Sequence, residues 1–242
     1  MPTLLHDSGL AAPSDIRILW HGKNQQHEDF NDYHGGQRAG NVACIFHAGT
    51  VLCELLYKGP AFFRQSFGDE YISDVLRTGT DLRQLWDKLV WDRETRGILS
   101  SQDKHVDMDH LLARLQDELQ GCIEFQPMAK VFLNTYCVSK FKCFAALLVD
   151  LQESLQNCSL AVRPAFILCV DGKFSLVVQI KENLLLFFDP HSAGKPPNQD
   201  RCVTALFRTV EDLASFLLRE DSMYKSCHDG AVQLGFWIML FW

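Results

Sequence analysis

The stretch from Pro164 to His191, "PAFILCVDGKFSLVVQIKENLLLFFDPH", constrains this chain more than any other. Three apolar runs follow one another, separated by Asp171-Gly172 and by Lys181-Glu182-Asn183. Asp-Gly between two apolar runs is a strong signal for a tight hairpin, because both central residues of the favoured turn need positive φ. Runs too short for helices and joined by tight turns can only lie side by side as an antiparallel meander. "CVTALF" supplies a fourth strand, a helix is predicted from about Val210 to Arg219, and "GFWIMLFW" closes the set.

Upstream the period changes from two to three and four. Ile45, Ala48, Val51, Leu52, Leu55 and Leu56 share one face of a helix that Gly59-Pro60 ends. Leu82, Leu85, Trp86, Leu89 and Val90 form a second stripe. Met108, Leu111, Leu112, Leu115 and Leu119 form a third, and Phe141, Phe144, Ala145, Leu148, Leu151 and Leu155 a fourth. "DIRILWHG" reads as a short strand, "NQQHEDFNDYHGGQ" as a loop, and Arg93 to Val106 as a loop or insertion. Helices first and a meander later make an α+β chain rather than an alternating one. Residues 1–13 read as a flexible tail and 14–242 as a single domain, helical over about 41–160 and sheet-forming over about 161–242.

The 242 residues are 47% hydrophobic and 22% charged, enough to bury a sizeable core. A net charge of −7 without a basic stripe argues against nucleic acid as a partner. No apolar run reaches the ~20 residues that cross a bilayer, so no membrane partner is expected. The nine cysteines, Cys53, Cys143 and Cys169 among them, lie mostly in apolar segments, with no CxxC pair and no HxxxH. That pattern predicts free thiols in a reducing, intracellular and cytoplasmic setting, with neither metal nor cofactor. The abrupt stop on "LGFWIMLFW" leaves room for a longer chain of which this is one domain.

The meander's third run ends in Asp189-Pro190-His191. In extended backbone, residues two apart project to the same side, and the intervening proline stops ladder pairing. A carboxylate is thereby held beside an imidazole, where it can fix the ring's tautomer and favour its charged form. Alternatively, the Asp caps a turn and the His is exposed. Cys44 stands where a loop becomes the first helix. A thiol at a helix N-terminus is acidified by the dipole and by free N–H groups, which can also hold an oxyanion. Alternatively, Cys44 is a small buried residue that begins a core helix. His47, one turn on, competes for the imidazole role but has no carboxylate placed to orient it. Gln25, in "HGKNQQ", carries a side-chain amide able to donate to an oxyanion, as does Gln26 beside it.

In their order along the chain, "GKNQ", "AGNVAC" with its apolar helix, "LLLFFDPHS", the helix from Val210 and "GFWIMLFW" resemble the cysteine deubiquitinase domain at the N-terminus of herpesvirus large tegument proteins. They are also similar to the wider viral-tegument-like deubiquitinases. The resemblance implies a papain-like cysteine protease fold, its helical N-terminal half packed on a mainly antiparallel sheet. It implies Cys44 as nucleophile, His191 as general base, Asp189 as its orienter and Gln25 as oxyanion donor. The implied reaction is hydrolysis of isopeptide or peptide bonds after the C-terminal glycine of ubiquitin, with ubiquitin or ubiquitin chains as partners and no cofactor. A viral source would move the setting to the host cytoplasm or nucleus. The match covers about half the chain and departs from the family at Ala43, where many members carry Gln. Tyr33 and Trp237 are candidates to line the glycine channel. The alternatives are a non-catalytic ubiquitin-binding module, a thiol protease of another ubiquitin-like modifier, and a structural protein in which these residues coincide by chance.

Overall fold

A computed structural model of the chain describes residues 17–30, 33–34, 37–38, 43–58, 68–91, 106, 108–117, 119, 121–132, 135–137, 141–143, 149, 152–153, 156, 162–170, 173–181, 183–191, 201–217, 231–233 and 236–241. The tail over 1–13 and the insertion over 93–105 lie outside them.

The meander forms as predicted. Strands β6 (Val162–Val170), β7 (Lys173–Lys181), β8 (Leu184–Asp189) and β9 (Val203–Phe207) pair antiparallel in sequence order. Asn183, in the turn between β7 and β8, has φ 55, a left-handed conformation that asparagine tolerates better than most residues. Strand β1 (Arg17–Trp20) extends one edge by pairing with β9. At the other side β11 (Phe236–Phe241) inserts between β6 and β4 (Thr135–Cys137). The resulting seven-stranded sheet runs β1-β9-β8-β7-β6-β11-β4, with antiparallel pairs throughout.

Helix α1 (Cys44–Lys58) is the structural axis. Every residue from Cys44 to Leu52 is buried, and so is Leu55. A helix apolar nearly all round must be enclosed on all sides. Helix α2 (Asp69–Trp86) crosses it so closely that a Cβ on Gly79 would lie 2.2 Å from His47 Cδ2 and 2.8 Å from the His47 backbone nitrogen. Helix α3 (Met108–Asp117) adds Leu111 and Leu115 to the same core, and α4 (Gln126–Phe132) packs Met128 and Phe132 against Gly49. Along β8 the alternation is clear. Leu186 and Phe188 join the core of the large helices, while Phe187 stacks on Phe216 of α5 (Val210–Leu217), with centroids 5.8 Å apart. Both faces of β8 are therefore covered, which explains its unbroken apolar run.

The helical middle differs from expectation in three places. Helix α2 begins at Asp69, well upstream of the stripe at Leu82, and passes through a π turn (Asp87–Trp91). The stripe expected to start a helix at Phe141 instead opens with a strand, β5 (Phe141–Cys143), paired with β10 (Ala231–Gln233). With β4 this puts strands inside the segment read as helical, because three-residue strands are specified by distant partners rather than by local period. The loop after β1 contains a short 3-10 turn (Glu28–Phe30) and a small hairpin of β2 (Tyr33–His34) with β3 (Gln37–Arg38).

Candidate active site

Cys44 is the first residue of α1 and is buried. The carbonyl of Ala43 accepts the first helical bond, from His47 N at 2.9 Å. Ala43 therefore occupies the capping position, where an alanine offers no side-chain acceptor to the N–H groups of the first turn. Polar caps are favoured there, and forgoing one costs about 1 kcal/mol. An alanine in that place leaves the end of the helix available to a negatively charged atom.

Asp189 closes β8 and His191 follows two residues later, both buried. One carboxylate oxygen, Asp189 Oδ1, accepts from the His191 backbone N–H at 2.9 Å and lies 2.7 Å from His191 Nδ1. Pro190 turns the chain so that a single oxygen serves both groups. With Nδ1 donating to the carboxylate, Nε2 is the ring's other nitrogen; it is buried with no hydrogen-bond partner among the described residues, and the Cys44 thiol is near enough to favour the charged ring. Burial pushes the His191 pKa down. The Asp189 carboxylate and the Cys44 sulfur outweigh it and carry the value up to about 9. A histidine that holds its proton through neutral pH beside a thiol stabilises the thiolate.

Two other thiols are different. Cys53 is driven up to about 12 by burial and by Glu54, and Cys202 is raised well above the ordinary thiol range by burial and by the nearby Asp189 charge. Neither is an ionisable nucleophile at neutral pH.

Gln25 is 1% exposed, and its backbone N–H donates to Pro190 O at 2.9 Å, inside the Asp-Pro-His corner. Gln26 is exposed, its N–H held by Asn24 Oδ1 at 2.9 Å. Of the two glutamines, Gln25 is the one the fold brings to the corner. His47 faces away from it, into the contact between α1 and α2, with Nε2 3.3 Å from Thr80 Oγ1. Burial, then the charge of His191, press its pKa down to about 3, so it is a neutral core residue. The side chains of Tyr33 and Trp237 lie outside the described residues.

Sequence reasoning passed over His21, Asp69 and Thr204. His21 is buried, with Nε2 2.7 Å from Thr204 Oγ1 and Nδ1 3.2 Å from Asp69 Oδ1. No local signal links three residues on β1's exit loop, α2 and β9. A separate groove of about 390 Å³, lined by Cys53, Glu54, Tyr57, Leu82 and Met128 among others, lies along α1 and includes none of the four predicted site residues. Among the described residues no group of three or more His, Cys, Asp or Glu side chains could hold a metal ion, and no helix is long and apolar enough to cross a membrane.

No protein-family model and no curated protein matches the chain. Among solved structures it is similar to the Pseudomonas avirulence protein AvrPphB, at 10% identity and a TM-score of 0.40, over 88% of this chain and 97% of that one. So low a score carries no argument about chemistry. The α+β architecture and the site rest on this chain's own residues.

Proposed function

We propose that this protein is a papain-like cysteine deubiquitinase, with Cys44 as nucleophile, His191 as the group that takes and returns the proton, Asp189 as its orienter and Gln25 as oxyanion donor. One observation carries the catalytic part of the reading. A thiol at a helix N-terminus meets an imidazole at the end of a distant strand, and that imidazole is held from its other side by a buried carboxylate. Ubiquitin as the substrate rests on the ordered sequence resemblance.

In this mechanism the thiolate attacks the carbonyl carbon of the C-terminal glycine. The oxyanion is received by the backbone N–H at Cys44 and by the Gln25 amide. His191 then passes its proton to the departing lysine amine, and water, activated by the same ring, releases the acyl-enzyme. Loss of one oxyanion donor costs roughly 10²–10³ in kcat, so Gln25→Ala slows turnover without ending it.

The test is ubiquitin carrying a C-terminal electrophile. The expected result is one covalent adduct at Cys44, absent in Cys44→Ala. Folded protein that forms no adduct would overturn the catalytic reading. Preferential labelling by the equivalent probe of another modifier would move the assignment to that modifier.

A further inference from the structure

The loop from His21 to Gln26 is held by more than its ends require. His21 N donates to Cys202 O at 3.0 Å, Cys202 N to Lys23 O at 3.4 Å, and Gly22 N to Asp69 Oδ1 at 3.3 Å. The His21 ring lies in the middle of this set, 2% exposed. A buried imidazole is tolerated when both nitrogens find partners, and both do: Asp69 at Nδ1 and Thr204 at Nε2. With Nδ1 donating to the carboxylate, the Thr204 hydroxyl donates to Nε2. Hydroxyl, imidazole and carboxylate thus stand in line, in the order of a nucleophilic triad. The Thr204 residue is only 1% exposed, so no substrate reaches that hydroxyl.

Both partners belong to elements that set the candidate site. Asp69 is the first residue of α2, the helix packed against α1 through Gly79 and His47. Thr204 stands opposite Phe188 in the β8–β9 ladder, one position before Asp189. Four residues beyond the ring, Gln25 N is fastened to Pro190 O. From these contacts we infer that His21 is a positioning residue: it locks the Gln25 loop simultaneously to α2 and to β9, fixing Gln25 relative to Cys44 and His191. For catalysis this rests on the reading given under Proposed function.

The inference is tested with the full chain by two independent readouts. The first is hydrogen exchange at the Gln25 amide, which needs no activity. His21→Ala is expected to speed exchange there by about tenfold or more while the amides of α1 between Val51 and Leu55 keep their protection. The second is kinetic. On a ubiquitin substrate His21→Ala is expected to lower kcat roughly 10- to 100-fold with KM little changed, as a misplaced group does. In a Gln25→Ala background the same change is expected to cost almost nothing more, because its effect runs through Gln25. Unchanged exchange at Gln25, or an equal kcat loss in both backgrounds, overturns the inference. Should His21→Ala not fold, Asp69→Ala removes the acceptor at Nδ1 and Thr204→Val the hydroxyl at Nε2, and each is expected to move both readouts in the same direction. The Asp69 side chain is 62% exposed, so its replacement spares the core. If wild type turns over no ubiquitin substrate, the exchange experiment still decides the brace, and the two failures remain distinguishable.

Discussion

Gly79→Ala isolates the contact on which the helical part is built. Taken alone, the change favours α2, since alanine is better than glycine inside a helix by about 1 kcal/mol. In place, the new carbon lies 2.2 Å from His47 Cδ2, 2.8 Å from His47 N and 2.9 Å from His47 Cα. Carbon atoms pack at about 3.5–4.0 Å, so more than an ångström of separation is missing at the ring carbon and at least about half an ångström at the two backbone atoms. The ring could turn to relieve the first contact. The other two are backbone atoms of a helix enclosed on all sides, so relief requires α1 and α2 to part. Overpacking of this kind costs typically 1–3 kcal/mol, and a backbone obstruction belongs at the upper end. Against the propensity gain, a net loss of about 2 kcal/mol is expected, which for a chain of this size lowers Tm by roughly 4–8 °C. Urea denaturation measures it, with Gly121→Ala as the control, since nothing lies within 4 Å of a Cβ there. The control is expected to be neutral or slightly stabilising. A Gly79→Ala protein as stable as wild type, with unchanged m-value, would refute the close-approach argument.

Two further perturbations follow from buried charges. His191 binds its proton more tightly folded than unfolded, so activity that needs the imidazolium persists through neutral pH and falls as pH rises through about 9. Asp189→Asn removes the carboxylate that raises this value. The alkaline limb of the pH–rate profile should move to lower pH and kcat should drop by roughly 10²–10⁴, and an unmoved limb would show that Asp189 does not set the ring's charge. Arg83 Nε lies 3.0 and 3.1 Å from the two oxygens of Asp87, with both side chains almost fully buried. Asp87→Ala takes this carboxylate away from a buried guanidinium and should cost about 3–5 kcal/mol in urea denaturation, whereas Arg83→Met with Asp87→Leu should cost less than the single change; a single variant within ~1 kcal/mol of wild type would refute it.

The meander was legible because Asp171-Gly172 and the short apolar runs of β6 to β8 are local signals, and the sheet uses them in sequence order. Helix α1 was legible for the same reason, its start at Cys44 marked by the change from polar loop to apolar stripe. The Asp189–His191 contact was one of two readings the spacing allowed, and the 2.7 Å approach of Nδ1 to Oδ1 decides between them. Strands β4 and β5 escaped because three residues are too few to establish a period, and Phe141 also fits the spacing of a helical face; their pairing with β11 and β10 decides the matter. The choice between Gln25 and Gln26 depends on which amide Pro190 receives, a tertiary fact. The brace at His21 was invisible for a like reason: its partners lie 48 and 183 positions away.

The placement of β11 has a consequence for how the chain comes off the ribosome. Among the described residues strand β4 reaches the large sheet through β11, so it waits without that ladder neighbour until translation has passed residue 238. Cys44 emerges early, and the imidazole beside it is not in place until residue 191 has been made and β8 has zipped onto β7 and β9. Until then the growing polypeptide lacks the histidine that lies beside Cys44 in the folded protein.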